Sequence, residues 1–380
     1  MKIYVEGTPI FRQRSGVGQY TKNLLEALFK LDTANHYTIF GFLFLGRGKH
    51  KPIPESPRVG YRFIKYLPSK VFNAVVRKLT APPIDVMLAA RPDIFFFPNF
   101  VRYPLPLGSR AVAVIHDLSY VLHGQYTARR NRQFLTRYVP LTIKKSQHIV
   151  TVSQNAKDEI VSYYGVDPDK ITVITPAINH DFFNPRPQGE VAAVTKKYAI
   201  AKPYVLYAGT LEPRKNIAGI LNAYATLPPT VRDSYTLVLA GGKGWLDRDI
   251  KAQLEELGHL DIIVTGYVPD EDLPALYSGA SLFVYPSFYE GFGMPPLEAM
   301  ACNTPVIASD NSSLPEVVGD AGILVDAQDS AALARHIENV LQDPALADEL
   351  RHKGLVRAKT FTWEHSAARL LEVLNRVGAR

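Results

Sequence analysis

The segment that most constrains this chain runs from Ala280 to Ser309 and reads ASLFVYPSFYEGFGMPPLEAMACNTPVIAS. Its opening, Ala280–Tyr285, has the length and the β-branched and aromatic content of a buried parallel strand. A loop with Glu290, Gly291 and Gly293 follows. Pro295-Pro296 then opens a helix expected over Pro296–Cys302, because proline is tolerated in a first turn whose amide hydrogens have no partner. Asn303 is suited to the left-handed conformation that ends a helix, and Thr304-Pro305 stops it ahead of a strand over Val306–Ser309. Strand, glycine loop, helix and strand in this order specify a βαβ unit. Its loop lies at the carboxyl end of a strand, where open parallel sheets bind ligands.

The same alternation recurs along the chain. Strands are expected at Lys2–Val5, Tyr37–Leu45, Tyr61–Tyr66, Asp93–Phe97, Ala111–Ile115, His148–Val152 and Ile171–Ile174, with helices over Gln19–Leu31, Ser69–Leu79, Thr127–Lys145 and Ala156–Tyr164. Thr175–Lys202 mixes proline and glycine with little periodicity and reads as a linker. The pattern restarts with Tyr204–Ala208, Ile217–Ala225, Thr236–Ala240, Ile262–Thr265 and Glu271–Ser278. Beyond the central motif come the loop Ser312–Gly322, a strand at Ile323–Val325, and helices over Ser330–Gln342 and Trp363–Val377. At 380 residues, two cores are expected. The boundaries are 1–184 and 185–362, with the helix 363–377 returning to the first domain.

The single cysteine, Cys302, excludes a disulfide framework and fits a reducing compartment, and its expected role is a small buried apolar residue. Met1-Lys2 leads straight into a strand, with no leader pattern, and no apolar run reaches the roughly 20 residues of a spanning helix. The expected location is therefore cytoplasmic. Residues 1–190 hold 26 Lys and Arg against 13 Asp and Glu, whereas 191–380 hold 17 against 23. The first half thus suits an anionic partner: nucleic acid, lipid headgroups or a phosphorylated substrate. In the helix Ser69–Leu79, Lys70, Arg77 and Lys78 adjoin Phe72 and Val76, a face that either covers a core or meets an anionic membrane.

Chemistry concentrates at a few positions. Glu290 and Glu298 flank a helix N-terminus, so acceptors for hydroxyl groups stand beside a site that favours an anion. Arg214 and Lys215 stand at the entrance of the helix Ile217–Ala225, where cations oppose the helix dipole; an anionic ligand such as a diphosphate removes that conflict. His116 follows the strand Ala111–Ile115 at its carboxyl end. Gly16 and Gly18 fall in the loop after the first strand without completing a dinucleotide fingerprint, so a nicotinamide or flavin enzyme is a poor fit.

Taken in order, EGFGMPPLEAM closely resembles the E-x7-E segment of the retaining family 4 glycosyltransferases, with Glu290 and Glu298 on its two glutamates and Asn303 where glycine is usual. The resemblance covers nearly the whole chain. It implies an α/β GT-B fold, two Rossmann-like domains with parallel sheets facing across a cleft, the first for the acceptor and the second for the nucleotide-sugar. It implies that Glu290 contacts the donor sugar, Glu298 the ribose, His116 the sugar from the other domain, and Arg214 with Lys215 the diphosphate. It further places Gly16, Gly18, Gly209, Val268, Gly291, Phe292, Gly293 and Met294 on the donor. The implied reaction is retaining transfer of a hexose, first GDP-mannose, to a saccharide or lipid-linked saccharide, with no metal or other cofactor and no nucleic acid. Such enzymes include mannosyl- and rhamnosyltransferases of bacterial surface polysaccharides, which gives O-antigen synthesis at the inner face of the membrane as the setting.

Competing readings are a soluble acceptor with a UDP-, ADP- or dTDP-sugar, and a retaining glycoside hydrolase, which has no use for the cation pair. A metal-dependent transferase would use Asp167-Pro-Asp169, Asp247-Arg-Asp249 or Asp270-Glu-Asp272, all placed where Asp serves caps and turns. A non-catalytic sugar-nucleotide-binding module would leave Glu290 and His116 without a role.

Overall fold

Parallel strands, the inner ones buried on both faces, build this protein, because most of its strand segments are continuous apolar runs rather than alternating ones. The computed structural model describes residues 1–12, 16–42, 51–65, 83–242, 244 and 248–379. These form two units, Met1–Ala177 with Trp363–Arg380, and Ile178–Thr362. Residues 178–184, assigned from sequence to the first domain, thus fall in the second.

In the first unit the strands are β1 (Lys2–Glu6), β2 (His36–Phe42), β3 (Val59–Ile64), β4 (Ile94–Phe97), β5 (Arg110–Val114), β6 (His148–Thr151) and β7 (Ile171–Val173). Their order is β3-β2-β1-β4-β5-β6-β7, and every pairing is parallel. Ile3 sits level with Tyr37 on one side and Ile94 on the other. The chain therefore reverses direction across the sheet between β1 and β4, and the loops after these two strands diverge to leave a crevice beyond their carboxyl ends. The helix Gly16–Leu31 buries Leu24, Leu25 and Leu28. Against it packs the helix Trp363–Ala379, which buries Trp363, Leu370, Leu374 and Val377.

The second unit repeats the plan with β8 (Tyr204–Ala208), β9 (Thr236–Ala240), β10 (Ile262–Gly266), β11 (Leu282–Tyr285), β12 (Val306–Ser309) and β13 (Ile323–Val325). Its order is β10-β9-β8-β11-β12-β13, again all parallel. Here the reversal falls between β8 and β11. Asn303 takes a φ of 66°, the left-handed conformation expected of it.

Some elements differ from the sequence reading. Gly16 and Gly18 lie inside the first turn of the helix, which starts at Gly16, not in the loop before it. The stretch read as a linker holds the helix Gln188–Lys197, and the stretch read as a loop after β12 holds Leu314–Val318. The helices Arg248–Glu256 and Pro344–Ala358 were not anticipated. The proposed membrane face of Lys70, Phe72, Val76, Arg77 and Lys78 lies outside the described residues. Among the described residues, no helix is long and apolar enough to cross a membrane.

Candidate active site

In the second unit the loops after β8 and β11 meet at the reversal point. The first carries Arg214 and Lys215 in a short 3-10 turn, Pro213–Lys215, and the second carries Glu290. A main-chain hydrogen bond from Phe288 N to Arg214 O, at 2.9 Å, ties the loops together. Lys215 Nζ donates to Glu290 Oε1 at 2.5 Å and to the Tyr285 hydroxyl at 2.5 Å. The Arg214 guanidinium donates to Glu290 Oε2 at 3.0 Å, to the Tyr289 carbonyl at 2.7 Å and to Glu212 at 2.9 Å. Lys215 and Glu290 are 8% and 7% exposed, so this is a buried ion network rather than a solvated surface pair.

Burial alone would raise the Glu290 carboxyl, but the charges of Lys215 and Arg214 outweigh it and hold the group at about 2. Burial, set against the Glu290 charge, pushes the Lys215 ammonium below its ordinary value. Counting donors, Lys215 has used two of three, and Arg214 keeps one N–H uncommitted. Each cation can thus reach one anionic oxygen without giving up its hold on Glu290.

Glu290 is also braced through its backbone. Its N–H donates to Ser312 Oγ at 3.0 Å, and its carbonyl accepts from Ser313 Oγ at 2.9 Å. Gly293 has a φ of 110°, and a Cβ there would come within 2.5 Å of a Leu314 methyl, so only glycine lets the loop turn into the helix Met294–Ala301. Phe292 is buried and packs edge-on against Phe361, with ring centres 5.8 Å apart; its ring supports the loop.

Glu298 stands within that helix and accepts from the Tyr277 hydroxyl at 3.0 Å. No cation among the described residues offsets its burial, which pushes its carboxyl up to about 7, and the Asp270 charge adds to the rise. The two glutamates of one motif thus carry opposite shifts. Gly209 has a φ of 148° at the end of β8, and Val268 is buried after β10. Gly291 precedes the helix and Met294 begins it.

In the first unit, His116 follows β5. Its Nε2 lies 2.9 Å from the Pro98 carbonyl. A carbonyl only accepts, so Nε2 carries the proton, and the neutral ring keeps Nδ1 as an acceptor. Burial lowers its basicity, which favours that neutral form. Tyr20 packs edge-on with ring centres 5.4 Å apart, and Phe100 packs at a tilt with ring centres 5.3 Å apart. Phe100 holds a φ of 51°, rare for a bulky side chain, and such strain concentrates at functional positions.

Tyr285, Glu212 and Tyr277 were missed by sequence reasoning. Glu212, alternating with Arg214 in LEPRKN, was the one readable signal; the tyrosines look like ordinary core residues. Of the aspartate strings, Asp272 pairs with Lys197 at 2.6 Å and Tyr198 at 2.6 Å, and Asp167 caps the N–H of Asp169, both structural tasks.

Residues 14–182 match the family model described as Glycosyltransferase Family 4, and residues 194–357 match Glycosyl transferases group 1. The chain is 37% identical to an Escherichia coli protein named O-antigen chain mannosyltransferase B, over 96% of this chain and 97% of that one. It is 32% identical to the Escherichia coli Serotype-specific mannosyltransferase WbdA over 70% of this chain, a match spanning 34% of that longer protein. Among solved structures, sucrose-phosphate synthase from Thermosynechococcus elongatus superposes with a TM-score of 0.76 at 23% identity, covering 100% of this chain and 99% of the other. The chain therefore belongs to the family 4 glycosyltransferases, with the GT-B fold, and is an enzyme that takes a sugar from a nucleotide-sugar donor to a saccharide acceptor.

Proposed function

We propose that this enzyme transfers mannose from GDP-mannose, with retained anomeric configuration, to a hydroxyl of a growing lipid-linked O-antigen saccharide. The observation that carries the mannose assignment is the 37% identity, across nearly the whole of both chains, to a protein named as an O-antigen chain mannosyltransferase. The geometry supports the chemistry. As the bond to the diphosphate breaks, negative charge grows on the leaving phosphate. Arg214 and Lys215, each with a free donor, and the amide hydrogens at the start of Met294–Ala301 are placed to stabilise it. Glu290, kept ionised, accepts from hydroxyls of the sugar, and Glu298 from those of the ribose. His116 accepts from the sugar through Nδ1. No protein base is assigned to the acceptor hydroxyl; the leaving phosphate takes its proton. With the diphosphate met by side chains and backbone, no metal is required.

The test is turnover of GDP-mannose against UDP-, ADP- and dTDP-sugars, with the anomeric configuration of the product read by NMR. Preferred use of GDP-mannose and an α-linked product are expected, with activity intact in EDTA. A β-linked product overturns retention, and activity lost in EDTA and restored by Mg²⁺ overturns metal independence.

A further inference from the structure

A cavity lies away from the loops that carry Arg214, Lys215 and Glu290. It lies in the first unit at the amino-terminal ends of β5, β6 and β7, the end of the sheet opposite His116. It encloses about 910 Å³, and Arg110, His148, Asp167, Asp169, Lys170 and Arg376 line it. These residues come from the starts of three strands and from the end of the helix Trp363–Ala379, so the fold itself brings them together.

The three cations are each anchored by neutral acceptors. An Arg110 N–H donates to the Gly378 carbonyl. Lys170 Nζ donates to the Ile143 carbonyl at 2.7 Å. Arg376 donates to Thr172 Oγ1 at 3.3 Å and lies 3.0 Å from His148 Nε2. A guanidinium has no acceptor, so Nε2 must be the acceptor there, and the neutral imidazole carries its proton on Nδ1. Among the described residues, no carboxylate stands within ion-pair distance of any of the three, although Asp167 and Asp169 line the same cavity. Arg110 and Lys170 bond carbonyls at helix C-termini and Arg376 stands in a last helical turn, all places where positive charge is favourable. Each of the two carbonyl bonds occupies a single donor.

A group of uncompensated cations suits a phosphate, for which the fork of an arginine and the point charge of a lysine are complementary. Two exposed carboxylates beside them would repel a bare phosphate, but as acceptors they match hydroxyl groups. We propose that this cavity binds a hydroxylated phosphate ester, its phosphate held by Arg110, Lys170 and Arg376 and its hydroxyls donating to Asp167 and Asp169. That chemistry belongs both to soluble sugar phosphates and to polyol headgroups of phospholipids.

Two probes distinguish these sources: glucose 6-phosphate, titrated by calorimetry, and sedimentation with phosphatidylglycerol vesicles, against phosphatidylcholine as control. Arg376 is exposed near a helix end, and Arg376→Gln keeps the helix; Lys170→Gln is the second variant, and circular dichroism checks both folds. Lys215→Ala separates this cavity from the donor cations. The expected result is glucose 6-phosphate binding that Lys215→Ala leaves unchanged and that Arg376→Gln weakens at least tenfold. Vesicle binding specific to phosphatidylglycerol and lost in both cavity variants, with glucose 6-phosphate inert, also supports the site and identifies the source as lipid. The proposal is overturned if neither probe binds, or if both cavity variants bind as wild type does. Inorganic phosphate binding as tightly as glucose 6-phosphate would remove the role given to the aspartates.

Discussion

The two sheets reverse their strand order in the same way, yet the loops at and beside the two reversal points hold opposite chemistry. Beyond β8 and β11, Glu290, Arg214 and Lys215 form a buried charged network braced by Tyr285, Glu212 and two serines. Beyond β4 and β5, a neutral imidazole sits between aromatic rings, its tautomer set by one carbonyl. Charge that must meet developing charge has to be held against desolvation, which takes several fixed partners. A neutral acceptor for a hydroxyl needs only an orientation. The contrast explains why the second site uses six or more groups to place three, and why the first makes do with a strained loop.

The largest effect should come from opening the charged network. Lys215→Ala leaves Glu290 buried with one partner fewer, and loss of one member of such a pair typically costs about 3–5 kcal/mol. Thermal unfolding should show this, and GDP binding should weaken by at least tenfold. In the double variant with Glu290→Ala the stability loss should be smaller than in Lys215→Ala alone. A double-variant loss equal to the sum of the two single losses would mean the pair is not coupled.

Next is Glu290→Gln, expected to depress kcat by roughly a hundredfold through the loss of charge near the sugar. Because removing the Glu290 charge takes a negative group away from the two cations that meet the phosphate, GDP should bind this variant more tightly than wild type. Weaker GDP binding would show that Glu290 only organises the cations.

Glu298 separates the two glutamates by pH. Its folded carboxyl, at about 7, lies above the ordinary 4.5, so between these values the folded state holds a proton that the unfolded state has lost. Stability of the wild type should therefore fall relative to Glu298→Gln as pH rises from 4.5 to 7. GDP binding should move the other way, improving as Glu298 ionises to accept ribose hydroxyls. Glu290, held at about 2, contributes stability that is present above 4.5 and lost only as pH falls toward 2. Parallel Tm profiles for wild type and Glu298→Gln from pH 4.5 to 8 would refute the Glu298 assignment.

The smallest effects belong to the neutral site. His116→Asn should lower turnover about tenfold while sparing GDP affinity, and the wild-type rate should lack an imidazole ionisation near 6.5. Tyr20→Phe removes the hydroxyl that donates to the Ile174 carbonyl at 3.2 Å and should cost about 1 kcal/mol in thermal stability.

Much of this was legible in the chain because most of its strands are unbroken apolar runs and its decisive loop is punctuated by Gly293, Pro295 and Pro296. Arg214 and Lys215 could be singled out because cations at a helix entrance conflict with the dipole. Their pairing with Glu290 could not, since 75 residues separate Lys215 from it and only the strand order brings them together. Pro344–Ala358 escaped because much of its buried side is Ala347, Gly354 and Ala358, residues too small to mark an apolar stripe. Gln188–Lys197 buries little beyond Val191, which left its prolines and glycine as the louder signal.

The return of Trp363–Ala379 to the first unit also sets an order of events during synthesis. Residues 1–177 emerge from the ribosome first, but the helix Gly16–Leu31 must wait for its partner until the whole of 178–362 has followed. At bacterial elongation rates of about 5–20 residues per second, that interval is roughly 10 to 40 s. The second unit is contiguous, so nothing in its sheet waits for a distant segment. The nascent chain thus carries an unfinished apolar seam beside a completed neighbour, and that seam is where a chaperone would be needed.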